Sequence, residues 1–308
     1  MTASAYSKRL FNVTIADWIL LAVAMVWGSS YPAVKFVLDY SDVMTFIFIR
    51  FSLTAVIMLP VVTKSLCHNT KATLSVGSIL GVLLFLIFLS ETAGVQRTTA
   101  VNAAFFISLC VLFTPILESI IAKTFPRLGL IFACSLSCIG AGLMGVNDDY
   151  HFQLMEGDLI ILLAAFLRSV GVITTKQLMQ EKKLDSGAVT FIQMLVVALI
   201  AGSWLLTSKH GFSVPSHMSF WLVTLYLALF CTLLAFYLQT HMIRETSPTH
   251  VILIMGTEPI FGALFAIILL QEALTFIQLI GGSLIIVATY WGIIHQQKHK
   301  ITAPNEQI

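Results

Sequence analysis

Residues 24–35 read AMVWGSSYPAVK, and residues 165–176 read AFLRSVGVITTK. Laid over one another at an offset of 141, they place Ala24 on Ala165, Trp27 on Arg168 and Lys35 on Lys176, with Asp17 on Asp158 upstream. Further along, Phe113-Thr-Pro115 answers Thr257-Glu-Pro259 at an offset of 144, nearly one helical turn more. Each match is short, but all keep the same order in both halves, as an internal duplication would leave them. Both stretches lie inside long apolar runs, so the repeat unit is a group of hydrophobic helices.

The chain has 308 residues, 58% of them hydrophobic and only 10% charged, with a formal net charge of +2. Soluble domains carry about a quarter charged residues, and a span of a bilayer needs about 20 apolar residues. These figures exclude a soluble enzyme, a disordered chain and a nucleic-acid binder. Ten apolar runs are found, approximately 18–38, 43–63, 75–94, 99–121, 128–146, 157–177, 188–206, 219–241, 249–270 and 275–295. They lack the apolar/polar alternation of an outer-membrane barrel. The first run is too long for the core of a secretory signal and has no A-x-A site after it.

Positive charge sets the orientation. Twelve Lys and Arg, among them Lys8, Lys64, Arg127, Lys176, Arg244 and Lys298, fall on the side of the two tails, against Arg97 and Lys209 on the other. By the positive-inside rule both termini are cytoplasmic, which also agrees with an even number of spans. The expected fold is an all-α integral membrane protein of ten transmembrane helices. It divides into a tail 1–16, a first repeat 17–147, a second repeat 157–295 and a tail 296–308. Five spans per repeat is odd, so the second repeat inserts upside-down. Such inverted repeats carry transporters between two access states.

At these residues the sequence resembles the EamA family of the drug/metabolite transporter superfamily. The resemblance rests on WGSSYPAVK (27–35), Ile49-Arg50-Phe51, Thr98-Thr-Ala-Val-Asn-Ala-Ala104, Glu258-Pro259 and Leu270-Gln-Glu272 followed by Gly281, and covers residues 16–295. It implies two inverted five-helix repeats, a central cavity lined by spans one to four and six to nine, and peripheral fifth and tenth spans. It further implies export of amino acids and related metabolites, though carriers of sugar phosphates and nucleotide sugars share the superfamily. Where the second repeat usually carries an aromatic, this chain has Arg168.

Charge in mid-membrane is expensive and so marks sites worth weighing. Arg168 lies about eleven residues into its span, and Glu258 about ten into span nine, at matching depth. Either they form a permanent brace, or Arg168 meets a solute carboxylate or phosphate while Glu258 releases it or takes a proton. Arg50 and Glu91 are matched nearer the outer side, as a structural pair or an outer gate. Lys35 and Glu118 lie close enough to span ends to snorkel. Trp27 and Tyr31 share one stripe of span one with Lys35, beside Gly28, Ser29, Ser30 and the candidate hinge Pro32. They are expected to line the cavity.

Thr98 and Thr99 suit helix capping, whereas Asn102 either joins helices by a hydrogen bond or touches solute, and Phe106, one turn further, is a candidate solute contact. Gln193 and Tyr237 are polar groups in apolar runs that either join helices or touch solute. Gly77-Ser-Ile-Leu-Gly81 is a close-packing pattern, here expected between spans of one chain; a homodimer stays open. The five cysteines read as small apolar residues, with Cys134 and Cys138 lacking the further ligands a metal would need. His241-Met-Ile-Arg-Glu245 has no second His at the spacing of a zinc helix, and the chain has no P-loop. The reading is therefore a secondary transporter of the inner (cytoplasmic) membrane, without cofactor, metal or nucleic-acid partner, whose partners are the lipid bilayer and a small-molecule substrate. The alternatives are a carrier of phosphorylated sugars or nucleotide-type anions and, more remotely, a membrane-embedded enzyme.

Overall fold

In hydrocarbon a chain must close its backbone hydrogen bonds within itself, and helices do so locally. The computed structural model follows that rule, and describes residues 15–66, 70–121, 123, 128–144, 146, 154–182, 184–208, 212–245 and 254–302. Among these residues the regular elements are all helical. The first three are α1 (Ile15–Val37), α2 (Val43–Leu66) and α3 (Thr70–Gln96). The expected fourth span is two helices, α4 (Ala100–Ile107) and α5 (Cys110–Ile121), followed by α6 (Leu128–Met144). The second half has α7 (Glu156–Lys182), α8 (Ser186–Thr207), α9 (Met218–Tyr226), a π-helix (Leu227–Leu234), α10 (Ala235–Glu245), α11 (Glu258–Leu270) and α12 (Phe276–Thr302).

Among the described residues, seven helical stretches are long and apolar enough to cross a membrane, and three shorter apolar helices, Ile131–Met144, Glu258–Leu270 and Phe276–Ala288, stand at the remaining expected segments. Several boundaries differ from expectation. Helix α3 begins at Thr70 rather than 75, α7 runs to Lys182 rather than 177, α11 begins at Glu258 rather than 249, and α12 continues to Thr302 through most of the expected tail. Gln and Lys are good helix formers, so a polar extension costs little. The N-terminal tail up to residue 14 and Cys67 lie outside the described residues.

Short polar side chains set where helices begin. Asp42 accepts from the Met44 and Thr45 amides at 3.0 Å each, Thr99 from Asn102 at 3.0 Å and Asp185 from Ala188 at 2.8 Å. Each satisfies amides that have no partner inside the helix. Glu272 does this across the chain: its two carboxylate oxygens accept from the Ala100 and Val101 amides at 2.9 Å each. It is delivered there by Gln271, whose backbone is left-handed at φ 54° and ends α11. A non-glycine residue in that region costs about 1–2 kcal/mol, offset by a carboxylate at a helix N-terminus.

Both discontinuities fall near the matched Thr-Pro and Glu-Pro motifs. At Ser108–Leu109 the backbone tightens to three-residue bonds, Ser108 to Phe105 and Leu109 to Phe106 at 3.2 Å each. Pro115 lacks an amide donor and its ring crowds the preceding turn. The Cys110 carbonyl is taken up by Thr114 Oγ1 at 2.8 Å and, from α7, by Ser169 Oγ at 2.9 Å. In the second half a turn at 256–257 precedes α11, with Pro259 in its first turn, where no amide is missed.

Helix pairing respects exchange of the halves. α1 packs on α11 as α7 packs on α4 and α5; α3 packs on α7 as the π segment and α10 pack on α1. The α2–α8 and α6–α12 pairs map onto themselves. At the α6–α12 crossing a Cβ on Gly140 would lie 2.7 Å from the Gly281 carbonyl, and a Cβ on Gly281 would lie 2.7 Å from the Gly140 carbonyl. Trp27 and Arg168, equivalent at the offset of 141, touch in mid-bundle with the guanidinium carbon 4.5 Å from the indole centroid. Contact between equivalent residues is the mark of a two-fold relation, and this place lies on its axis. The Gly77 and Gly81 pattern also packs internally: Cβ atoms there would meet Ile192 and Val196 of α8 at 2.6 and 2.7 Å.

Candidate functional site

A cavity lies where the two halves meet. Trp27 comes from α1, Arg50 from α2, Glu91 from α3, Arg168 from α7, Gln193 from α8 and Glu258 from α11. Its free volume is about 60 Å³ for the centres of water-sized spheres. A single water needs about 10–15 Å³ on that measure, so the space in this conformation holds a handful of waters.

Glu258 is the best-anchored charge. It occupies the first turn of α11, where the helix dipole favours an anion, and is only 3% exposed. The Tyr31 hydroxyl donates to its Oε1. Arg168 Nη1 donates to both oxygens, at 3.3 and 3.2 Å. One nitrogen shared between two oxygens is weaker than the two-nitrogen fork a guanidinium can form. Nε and Nη2 of Arg168 have no hydrogen-bond partner among the described residues. The guanidinium stacks on Trp27, and the indole Nε1 donates to the Cys231 carbonyl at 2.8 Å. Pro32 sits inside α1 one residue beyond Tyr31. Gly28, one turn earlier, lets α11 approach: a Cβ there would stand 2.6 Å from Phe261 Cβ.

The expected Arg50–Glu91 pair is not formed. Arg50 Nε donates instead to Thr232 Oγ1 at 2.7 Å, and its guanidinium lies 5.0 Å from the Phe88 centroid. Thr232 is available because the π-helix displaces it, its hydroxyl donating to the carbonyl five residues back, Leu227, at 2.9 Å. Glu91 lines the same cavity and has no hydrogen bond among the described residues.

Of the other candidates, Gln193 faces the cavity. Tyr237 does not: it is 42% exposed and stacks on His241 with centroids 6.3 Å apart. Phe236, Gln239 and Thr240 of α10 line the wall instead. A π-helix inserts about one residue of register, turning everything after it by roughly 100° about the helix axis. Asn102 and Phe106 also lie off the cavity wall. Phe106 is packed in the core, and Asn102 Nδ2 donates to Asp158 Oδ1 at 3.3 Å.

That last contact belongs to a polar closure at one end of the bundle. Lys35 at the end of α1 donates to the Thr98 carbonyl, and Thr98 Oγ1 donates to Asp158 Oδ1. Asp158 Oδ2 accepts from the Met155 amide at 2.9 Å, holding the start of α7. With Glu272 on α4, these groups tie α1, α4, α7 and the end of α11 together. The repeat match of Asp17 with Asp158 singled out this residue but did not indicate that it would be the hub. On the opposite side of the cavity the lining reaches Thr175, Gln239 and Thr240, toward the other ends of α7 and α10.

A family model for the EamA-like transporter family matches residues 14–146 and again residues 155–293. The chain belongs to this family. The two matches are the two EamA-like units, and the chain is a membrane transporter of this type. It is 25% identical over 281 residues to an uncharacterized transporter of Archaeoglobus fulgidus, covering 91% of this chain and 85% of that one. It is 26% identical over 313 residues to the uncharacterized transporter YetK of Bacillus subtilis, covering 95% and 92%. A solved crystal structure 14% identical to it aligns over 92% of this chain and 98% of its own, with a TM-score of 0.67. At that identity the likeness is one of fold.

Proposed function

We propose that this EamA-like protein is a secondary active transporter that exports small carboxylate-bearing metabolites, such as amino acids, across the cytoplasmic membrane. In this reading it crosses the membrane ten times as two inverted repeats, with both termini cytoplasmic. The polar closure around Asp158 is then the outer seal, and the cavity faces the cytoplasm. Rocking of the halves about their two-fold axis exchanges that state for an outward-open one.

The observation that carries the reading is the Arg168–Glu258 contact in the cavity wall. Its guanidinium is braced on Trp27 but commits only one nitrogen to the carboxylate. A solute carboxylate takes the free nitrogens, and Glu258, relieved of Arg168, takes a proton and couples flux to the proton gradient. The discontinuities in spans four and nine support the same location, because interrupted spans in corresponding positions accompany transporter sites. The two carboxylates in the wall weigh against a phosphorylated anion, which would call for excess positive charge.

The test is a panel of labelled metabolites in proteoliposomes, with and without a pH gradient. Saturable counterflow of a chemically unchanged carboxylate is the expected result, lost in Arg168→Ala protein that still inserts. Unchanged flux in that variant would overturn the assignment of Arg168.

A further inference from the structure

Three of the four charges in the cavity wall have protein partners. Arg168 and Glu258 hold one another, with Tyr31 donating to Glu258. Arg50 gives Nε to Thr232 and lies over Phe88. Glu91 alone has neither hydrogen bond nor ion pair among the described residues, although Arg50, Arg168, Glu258 and Tyr31 all stand near enough to act on it electrostatically. A carboxylate in mid-bundle without a donor is costly. Closing it onto Arg50 would remove that cost, yet the side chains stay apart, with the Arg50 head held by Thr232 of the π-helix.

We propose that Glu91 is the cation-receiving group of the cavity, binding the protonated amine of a solute whose carboxylate lies on Arg168. This rests on the cavity being the solute site, and it narrows the solute class to zwitterions with amine and carboxylate in one molecule. The chemistry is complementary at both ends. An ammonium has three donors and no acceptor, and Glu91 offers two oxygens with no donor in the protein. Arg168 offers two guanidinium nitrogens without an acceptor. With all four groups ionised, Arg50, Arg168, Glu91 and Glu258 balance in charge, so a net-neutral zwitterion enters without an excess of either sign, and the one positive charge then gained is the proton that Glu258 takes up.

Matched pairs of solutes test this with the purified protein in proteoliposomes: L-leucine against 4-methylpentanoate and L-phenylalanine against 3-phenylpropanoate. Each pair differs by the amine alone. Counterflow inhibition gives apparent affinities for wild type, Glu91→Gln and Glu91→Asp. The wild type should favour the amine-bearing member by about ten-fold or more, the worth of one charge-assisted hydrogen bond. Glu91→Gln should lose that preference, binding the amine-bearing member more weakly and the anionic amine-free acid at least as tightly as wild type does, and Glu91→Asp should retain part of the preference. Equal binding of both members by wild type overturns the role of Glu91 and leaves the transporter reading standing. So does a preference that survives in Glu91→Gln. If no member of either pair competes, both readings fall together. The wild-type comparison decides the matter even if Glu91→Gln does not fold.

Discussion

Replacing Glu258 with Gln keeps the shape of the side chain and an acceptor for Tyr31 but removes the charge opposite Arg168. Breaking a buried ion pair from one side costs about 3–5 kcal/mol when the pair is fully engaged. Here a single nitrogen serves both oxygens at 3.2 and 3.3 Å, a geometry nearer one charge-assisted hydrogen bond at about 1.5–3 kcal/mol. The guanidinium also keeps its seat on Trp27 at 4.5 Å, worth about 0.5–2 kcal/mol. The expected loss is therefore about 2 kcal/mol, or about 30-fold in the unfolding equilibrium. Arg168→Met and the double variant complete a cycle, read by reversible unfolding in mixed micelles. A coupling energy of about 1.5–2 kcal/mol is expected. A value below about 0.5 kcal/mol, the range in which independent sites already add, would refute the claim that the two charges hold one another.

Three further outcomes follow from the packing. Gly140→Ala should destabilise by about 1–3 kcal/mol through overpacking, because its Cβ would lie 2.7 Å from the Gly281 carbonyl; Gly142→Ala, with nothing within 4 Å, should be neutral or stabilising in the same thermal-unfolding assay. Phe236→Ala should impair transport in proteoliposomes, whereas Tyr237→Ala, pointing away from the cavity, should leave the rate unchanged. Glu272→Gln should cost about 0.3–2 kcal/mol by weakening the carboxylate at the α4 N-terminus, visible as faster hydrogen exchange at Ala100 and Val101.

Much of this was legible in the sequence because of how rarely polar groups occur in it. The depth of Arg168 and Glu258 in their runs brought them to one another without any knowledge of helix packing, and Trp27 and Gln193 were found in the wall. The offset of 141 identified equivalent residues, one pair of which, Trp27 and Arg168, meets on the axis. What was not legible depends on helix geometry and on contacts between helices. Tyr237 was singled out as a polar group in an apolar run, which says nothing of its face, and the π-helix over Leu227–Leu234 turns Phe236, Gln239 and Thr240 to the cavity instead. The same segment presents Thr232 to Arg50, and so prevented the Arg50–Glu91 pair. Asn102 was weighed as a solute contact or a helix joiner, and its Asp158 partner belongs to a different helix, 56 residues away. No periodicity announces a change of helix type or a bond between distant spans.

The pair of residues on the two-fold axis bears on energetics as well as architecture. There the axis passes between an indole and a guanidinium, which are not interchangeable. A carrier built from identical halves would have end states of equal free energy and would accept a solute equally well in two orientations related by the axis. With Trp27 on one side and Arg168 on the other, that degeneracy is lifted. In the proposed transport cycle the solute then has a head and a tail direction in the site, and the resting population is weighted toward one face of the membrane before any gradient is applied.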